Sequence, residues 1–315
     1  MKRAFIFPGQ GSQAVGMGKG LAENFPQAKR VFEEVDDALS QKLSTLMWEG
    51  PSDELTLTAN TQPALMAVSL AVIRTLEAEA GLDLSKHATF VAGHSLGEYS
   101  ALAAVNSLSL KDTAQLLRIR GEAMQKAVPV GEGAMAAILG LEMEVVSQLA
   151  KEAAQSQVCD IANDNGNGQV VVSGHKTAVE RAVTLAQKKD AKRAILLAVS
   201  APFHCSLMAP AADVMADSFK GVTFTVPVVP VVINVEAKPE SSPELLAQSL
   251  VKQVTGTVRW RESMLYMAEQ KIDAFFEIGS GKVLTGLGKR LAPDAHSSAI
   301  GIPEDISAFV KTFKA

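Results

Sequence analysis

The pattern of apolar and polar positions divides the chain into three stretches. In the first, a short apolar run at residues 3–7 ends in Pro8-Gly9-Gln10-Gly11-Ser12-Gln13, which predicts a strand running into a glycine loop. Val31, Phe32, Val35 and Leu39 recur at helical spacing and predict an amphipathic helix over 27–39. Ala64-Leu65-Met66-Ala67-Val68 is apolar nearly all round, which predicts a buried helix over 61–79, capped by Thr61 with Pro63 near its start. A strand is predicted at 89–92, and helices at 95–105 and, behind Ser109 as a cap, at 110–128.

At Pro129-Val130-Gly131-Glu132-Gly133 the rhythm changes. Strand patterns at 134–139, 158–163, 168–173 and 193–199 alternate with helical patterns at 143–154 and 177–188. This β-α-β-β-α-β order is that of the ferredoxin-like split βαβ unit. Between its middle strands, Asn163-Asp164-Asn165-Gly166-Asn167-Gly168 supplies residues that tolerate left-handed backbone in a hairpin. The third stretch predicts a helix over 206–219, a strand over 228–234, helices over 243–254 and 261–270, strands at 274–278 and 298–302, and a last helix from 304. The fold class is therefore α/β. A large α/β-hydrolase-like domain with a central, mostly parallel sheet takes residues 1–129 and 198–315, and a ferredoxin-like small domain, 130–197, is inserted in it.

Composition adds mainly exclusions. The chain has 315 residues, 47% hydrophobic and 20% charged, ordinary for a globular protein with a sizeable core. A net charge of -4 gives no footprint for nucleic acid or an anionic membrane. The two cysteines, Cys159 and Cys205, have no pair spacing, which argues against a disulfide scaffold or a cysteine zinc site. The apolar start is too short for a signal-peptide core, and the stretch 64–73, broken by Ser69, is too short to cross a bilayer. The expectation is a cytoplasmic protein with no metal.

The candidate chemistry begins at Gly93-His94-Ser95-Leu96-Gly97, a G-x-S-x-G pentapeptide between a predicted strand and a predicted helix. That is the setting of a nucleophile elbow, where a tight turn pushes the serine hydroxyl clear of the sheet and leaves no room for side chains two residues away on either side. Gly9-x-Gly11-x-x-Ala14 approaches a dinucleotide fingerprint but lacks the acidic residue that should close a second strand about 20 residues on, so that reading fails. The loop still places the amide of Gln10 at the C-terminal end of a central strand, where open α/β sheets bind ligands. Gly279-Ser280-Gly281-Lys282 is not a P-loop, because Phe276 and Val283 stand where glycine and serine or threonine are required.

On a wheel of about 100° per residue, the 110–128 helix puts Thr113, Leu116, Leu117, Ala123, Met124 and Ala127 on one face and Arg120 in the middle of it. A guanidinium pointing into a core needs an anion, either in an internal salt bridge or on a bound carboxylate or phosphate. Arg118 and Glu122, on the opposite face, read as a solvent-exposed i,i+4 pair. A base for Ser95 is sought among five histidines. His94 adjoins the serine and suits a wall; His87 and His296 lie in loops; His175 caps a helix. His204 follows the inserted unit on a loop that crosses the cleft and is the favoured base, expected to be exposed. No aspartate is placed to orient it. Asn163 either faces the cleft or serves the turn.

Taken together, Phe7-Pro8-Gly9-Gln10-Gly11-Ser12-Gln13, Gly93-His94-Ser95-Leu96-Gly97-Glu98-Tyr99, Arg120-Gly121, Pro202-Phe203-His204, Glu277-Ile278-Gly279 and Gly281-Lys282-Val283-Leu284 resemble, in order and over nearly the whole chain, the malonyl-coenzyme A:acyl carrier protein transacylases and the acyltransferase domains of fatty-acid and polyketide synthases. The resemblance implies that Ser95 carries the acyl group as an ester. It implies His204 as base, oriented by a backbone carbonyl at Gln253, and Gln10 and Leu96 as backbone donors of an oxyanion hole. It makes Arg120 the partner of the malonyl carboxylate, and Phe203 and His94 part of a malonyl-selecting pattern. Asn163, if it faces the cleft rather than serving the turn, is a further substrate contact. The partners it implies are malonyl-coenzyme A and acyl carrier protein. No cofactor is expected, since the coenzyme A thioester is a substrate, and the protein is expected to be a monomer. Ser280, where the family often has proline, is expected to loosen a turn. Cys205, after His204, is expected to be inert.

Two other readings compete. A thioesterase of the α/β-hydrolase type would use the same serine and histidine, but has no use for Arg120. A carrier-docking module without activity would not need Ser95, His204, Gln10 and Arg120 together. Lys188, Lys189, Lys192 and Arg193 read either as a basic patch for an acidic carrier or, the commoner case, as a solvated face.

Overall fold

The computed structural model describes residues 1–313. Among the described residues, ten strands form two sheets. The first contains β1 (Arg3–Phe7), β2 (Phe90–Gly93), β7 (Val231–Ile233), β8 (Lys238–Glu240), β9 (Ala274–Ile278) and β10 (His296–Ile300), in the order β10-β9-β1-β2-β7-β8. All its pairs are parallel except β7 with β8. The second contains β3 (Gly133–Leu139), β4 (Cys159–Asp164), β5 (Gln169–His175) and β6 (Arg193–Leu196), all antiparallel, in the order β4-β5-β3-β6. The molecule is a mixed α/β structure around a central, mostly parallel sheet.

Parallel pairing brings the C-terminal ends of β1, β2, β7 and β9 to one edge. Phe7 registers with Gly93, so the loop carrying Gln10 lies beside the turn carrying Ser95. The strands are buried on both faces, as their unbroken apolar runs require. The Thr58–Ala80 helix lies in the core, with the Pro26–Leu39, Leu96–Ala104 and Leu110–Ala127 helices packed on it. The second sheet alternates with a period of two. Ala136, Ile138, Val170 and Val172 pack under its own helices, Met143–Ala154 and Lys176–Lys188, while Met135 and Val171 face the main core.

The departures from the sequence pattern have local causes. The long helix starts at Thr58, not Thr61. Thr61 donates its hydroxyl to the Leu55 carbonyl (2.6 Å) and caps nothing, and Leu57 stands at the cap. The expected strand 228–234 shrinks to β7, since Pro227 and Pro230 have no N–H to give a ladder; β8, which turns back against it, is short and polar and was not predicted. The strand expected to reach residue 199 ends at Leu196. Arg118 is half-buried and donates to Gln41 rather than pairing with Glu122, whose partner is Lys126. Ser280 does not loosen its turn: its hydroxyl donates to the Ser12 carbonyl (2.7 Å) and ties two glycine loops together.

Candidate active site

The turn after β2 is fixed by sterics. A Cβ on Gly93 would lie 1.9 Å from the Gly97 carbonyl carbon and oxygen, and one on Gly97 would lie 2.2 Å from the Phe7 carbonyl oxygen, so neither position admits a side chain. Ser95 between them sits at φ 55°, and His204 at φ 56°. For non-glycine residues this left-handed backbone costs energy and persists only where the surroundings impose it.

Ser95 Oγ and His204 Nε2 are 2.7 Å apart. On the other side of the ring, Nδ1 lies 2.8 Å from the Gln253 carbonyl and 3.2 Å from that of Gly256. Carbonyls only accept, so Nδ1 carries the proton and Nε2 is left to accept from the serine. No carboxylate among the described residues takes part. His204 is buried, not exposed as the loop position suggested, because Gln253 and Gly256 at the end of the Pro243–Thr255 helix close over it. Burial, then the nearby positive charge of Arg120, pushes its pKa down to about 3.

Arg120 lies in the Leu110–Ala127 helix and is 2% exposed. Gly121 lets that helix close on the start of the Thr58–Ala80 helix, since a Cβ there would meet Ala59 Cα at 2.5 Å. The approach delivers Gln62, whose Oε1 accepts from Arg120 Nη1 (2.7 Å). Nη2 donates to Gln253 Oε1 (3.0 Å) and to Ser95 Oγ (3.2 Å). No carboxylate lies within ion-pair distance among the described residues, and Nε has no partner. The Tyr99 ring lies 5.6 Å beneath the guanidinium. A buried guanidinium with amide, hydroxyl and aromatic neighbours but no carboxylate partner among the described residues, beside a nucleophile-type serine, is suited to an anion from outside.

Two backbone donors remain free at the same edge. Gly97 and Glu98 give their N–H groups to His94 and Ser95 carbonyls (2.9 and 3.0 Å), whereas those of Leu96 and Gln10 find no acceptor among the described residues. Both residues line a cavity of about 330 Å³ with Ser95, His204 and Arg120. Unpaired N–H groups at a helix start beside a hydroxyl can stabilise an oxyanion.

His94 and Phe203 also line this cavity, and His94 Nε2 is held by Asn165 Oδ1 at 2.9 Å. Asn163 lines it from β4, at a break in the strand register, and is buried. The left-handed turn positions belong to Gly166, Asn167 and Gly168. Met135, Leu197 and Val199 complete an apolar wall. Cys205 is buried and its thiol is pushed up to about 11 by desolvation, which leaves it inert.

Asn234 was not foreseen. Its Oδ1 accepts from the Ser95 N–H (2.8 Å) and its Nδ2 donates to the Gly93 carbonyl (2.7 Å). The side-chain amide continues the β2–β7 ladder around the elbow where the backbone cannot. Gln62, Glu98 and the Gln253 side chain were missed too, since each reads as an ordinary polar residue. Thr58, which donates to Gln10 Oε1 (2.6 Å), likewise reads as loop. The signal available was the first turn of a core helix carrying Thr58, Thr61 and Gln62, all buried.

Residues 4–308 match the family described as acyl transferase domain. The chain is 45% identical over 305 residues to malonyl CoA-acyl carrier protein transacylase of Escherichia coli K12, covering 97% of each chain. Its fold is similar to a crystal structure of acyl-carrier-protein-S-malonyltransferase from Bartonella henselae (TM-score 0.97, 56% identity, 100% of both chains). It is also similar to a malonyl-transacylase solved in complex with its type II PKS acyl-carrier protein (TM-score 0.95, 42% identity, 99% of this chain and 100% of that one).

Proposed function

The chain belongs to the acyl transferase domain family, and on that premise we propose that it moves a malonyl group from coenzyme A to the phosphopantetheine thiol of acyl carrier protein through an ester on Ser95. The observation that carries this reading is Arg120: a buried cation without a carboxylate partner, 3.2 Å from Ser95 Oγ. A malonyl ester on that oxygen can fold its free carboxylate back onto the guanidinium, where a charge-assisted pair forms.

In the first half-reaction Ser95 gives its proton to His204 Nε2 as Oγ attacks the thioester carbonyl. The oxyanion takes hydrogen bonds from the Gln10 and Leu96 N–H groups, each such donor being worth roughly 3 kcal/mol. Collapse expels the coenzyme A sulfur, which leaves with the proton from His204. In the second half-reaction the carrier thiol gives its proton to His204 and attacks the ester, and Ser95 recovers it. Arg120 serves twice. Its positive charge opposes protonation of His204 in the resting site. A malonyl carboxylate on Arg120 cancels that opposition, so the acyl group with the right charge also frees the base to work.

His94, Phe203 and Asn163 shape the acyl pocket in this reading, with Phe203 and His94 crowding substituents on the α-carbon. The second sheet, with its order β4-β5-β3-β6, serves as a ferredoxin-like unit at 130–197 inserted in an α/β-hydrolase-like domain of 1–129 and 198–315. It helps to form a narrow cleft that keeps water from the ester. A monomeric, cytoplasmic enzyme without a cofactor belongs to the same reading, and two buried free cysteines suit a reducing compartment. The thioesterase reading is not favoured: it leaves Arg120 without a role.

Incubation with malonyl-coenzyme A, followed by intact-mass and peptide analysis, is expected to show one malonyl group on Ser95 that disappears when holo carrier protein is added. Rapid release of free malonate in the absence of carrier would overturn transfer in favour of hydrolysis.

A further inference from the structure

Glu98 is 1% exposed and is not used by the transfer steps above. Its Oε2 accepts from the Asn234 N–H (2.8 Å) and from Gln253 Nε2 (3.0 Å), and its Oε1 has no partner. The Gln253 amide thus stands between two opposite charges, its Oε1 facing Arg120 Nη2 (3.0 Å) and its Nε2 facing the carboxyl. Nε2 also donates to the Ser95 carbonyl (3.1 Å), which, with Glu98, fixes which way the amide faces.

We propose that Glu98 is the standing counter-charge of Arg120, held one amide away by the Gln253 side chain, and that as a positioning residue it sets how strongly the arginine selects acyl donors that end in a carboxylate. This rests on the reading of Arg120 as the partner of the malonyl carboxylate. A carboxylate directly on Arg120 would occupy the N–H groups that the substrate needs. With no counter-charge at all, a cation would be buried uncompensated. The amide satisfies both ends and leaves the arginine offset but unoccupied. Burial also lifts the Glu98 carboxyl to about 7, so its charge is readily given up when a second carboxylate arrives.

The test compares malonyl- and acetyl-coenzyme A as donors for the full-length wild type, Glu98→Gln and Gln253→Glu, at about pH 8, where Glu98 is largely ionised. Glu98→Gln keeps an acceptor for the same donors and removes the charge. KM for malonyl-coenzyme A is expected to fall roughly three- to tenfold, as loss of one screened charge predicts, with the acetyl KM unchanged. Gln253→Glu keeps the backbone carbonyl on His204 and puts a carboxylate on the arginine. It is expected to raise the malonyl KM about tenfold or more relative to the acetyl KM, whatever rate change the two donors share. Opposite shifts of the malonyl-to-acetyl ratio in the two variants cannot come from a general loss of structure. Equal changes for both donors, or an unchanged malonyl-to-acetyl ratio in Glu98→Gln, would overturn the proposal. If wild type fails to form the malonyl ester at all, the proposed function is what fails. Should Glu98→Gln not fold, Gln253→Glu decides alone.

Discussion

The two banks of the cavity are built differently. The bank formed by the parallel sheet and its helices supplies Ser95, His204, Arg120, Gln10, Leu96, Gln253 and Asn234. Its key positions are over-determined, with left-handed backbone at Ser95 and His204 and side chains that each make two or more hydrogen bonds. The bank formed by the antiparallel sheet supplies Met135 and Asn163, and the segment leaving it after Leu196 supplies Leu197 and Val199. These are mostly apolar and without strained backbone. Reactivity sits where the fold tolerates no slack, and shape sits where substitution is cheap.

His204→Ala should break the first bank most severely, lowering malonyl ester formation by about 10⁴-fold, measured by rapid-quench mass analysis. A loss of less than tenfold would remove the imidazole from the reaction. Asn234→Ala tests whether the elbow needs its side-chain clamp. Without the acceptor for the Ser95 N–H and the donor to the Gly93 carbonyl, kcat should fall roughly 10- to 100-fold with KM little changed, as expected from a nucleophile displaced by a fraction of an ångström. A rise in KM alone would place Asn234 among the substrate contacts instead.

The depressed pKa of His204 gives a pH signature with a definite sign. Its folded value, about 3, lies below the ordinary 6.5, so its contribution to stability is complete above about 6.5 and is lost as pH falls toward 3. Glu98 acts in the other direction. Its folded value, about 7, lies above the ordinary 4.5, and its contribution is lost as pH rises through that range. The acylation rate of the free enzyme should therefore show no acid limb near 6.5. A fall in rate on the acid side of that pH would mean that His204 is not held neutral by burial and Arg120. On the second bank, Met135→Ala should change acylation by malonyl-coenzyme A only about two- to threefold while admitting α-substituted donors better. Loss of all transfer would erase the distinction between the banks.

The sequence was informative where chemistry is local. The Gly93-His94-Ser95-Leu96-Gly97 elbow follows from steric limits within five residues. Arg120 announces itself as a charge on an apolar helix face, and β1, β9 and the Met143–Ala154 helix have the bounds that their apolar runs predict. What stayed hidden was polar and non-local. Thr58 fell outside the predicted helix and Gln62 read as an ordinary polar position within it, whereas their side chains serve Gln10 and Arg120 rather than solvent. Asn234 follows a strand shortened by prolines, and only its distance from Gly93 and Ser95 in the fold reveals its use. His204 was placed correctly in the chain but not in depth. Its burial comes from the Pro243–Thr255 helix, about 50 residues away.

The account depends most on Arg120 as the group that chooses the acyl donor, and one competition measures it directly. Wild type and Arg120→Ala are each given equal malonyl- and acetyl-coenzyme A, and the two esters on Ser95 are counted by mass. Wild type should carry almost only malonyl. Arg120→Ala should lose malonyl ester by about 10²-fold or more, as loss of a buried charge-assisted pair predicts, and carry mainly acetyl. An unchanged ratio of the two esters in the variant would contradict the account, because the buried arginine would then have no part in choosing the substrate.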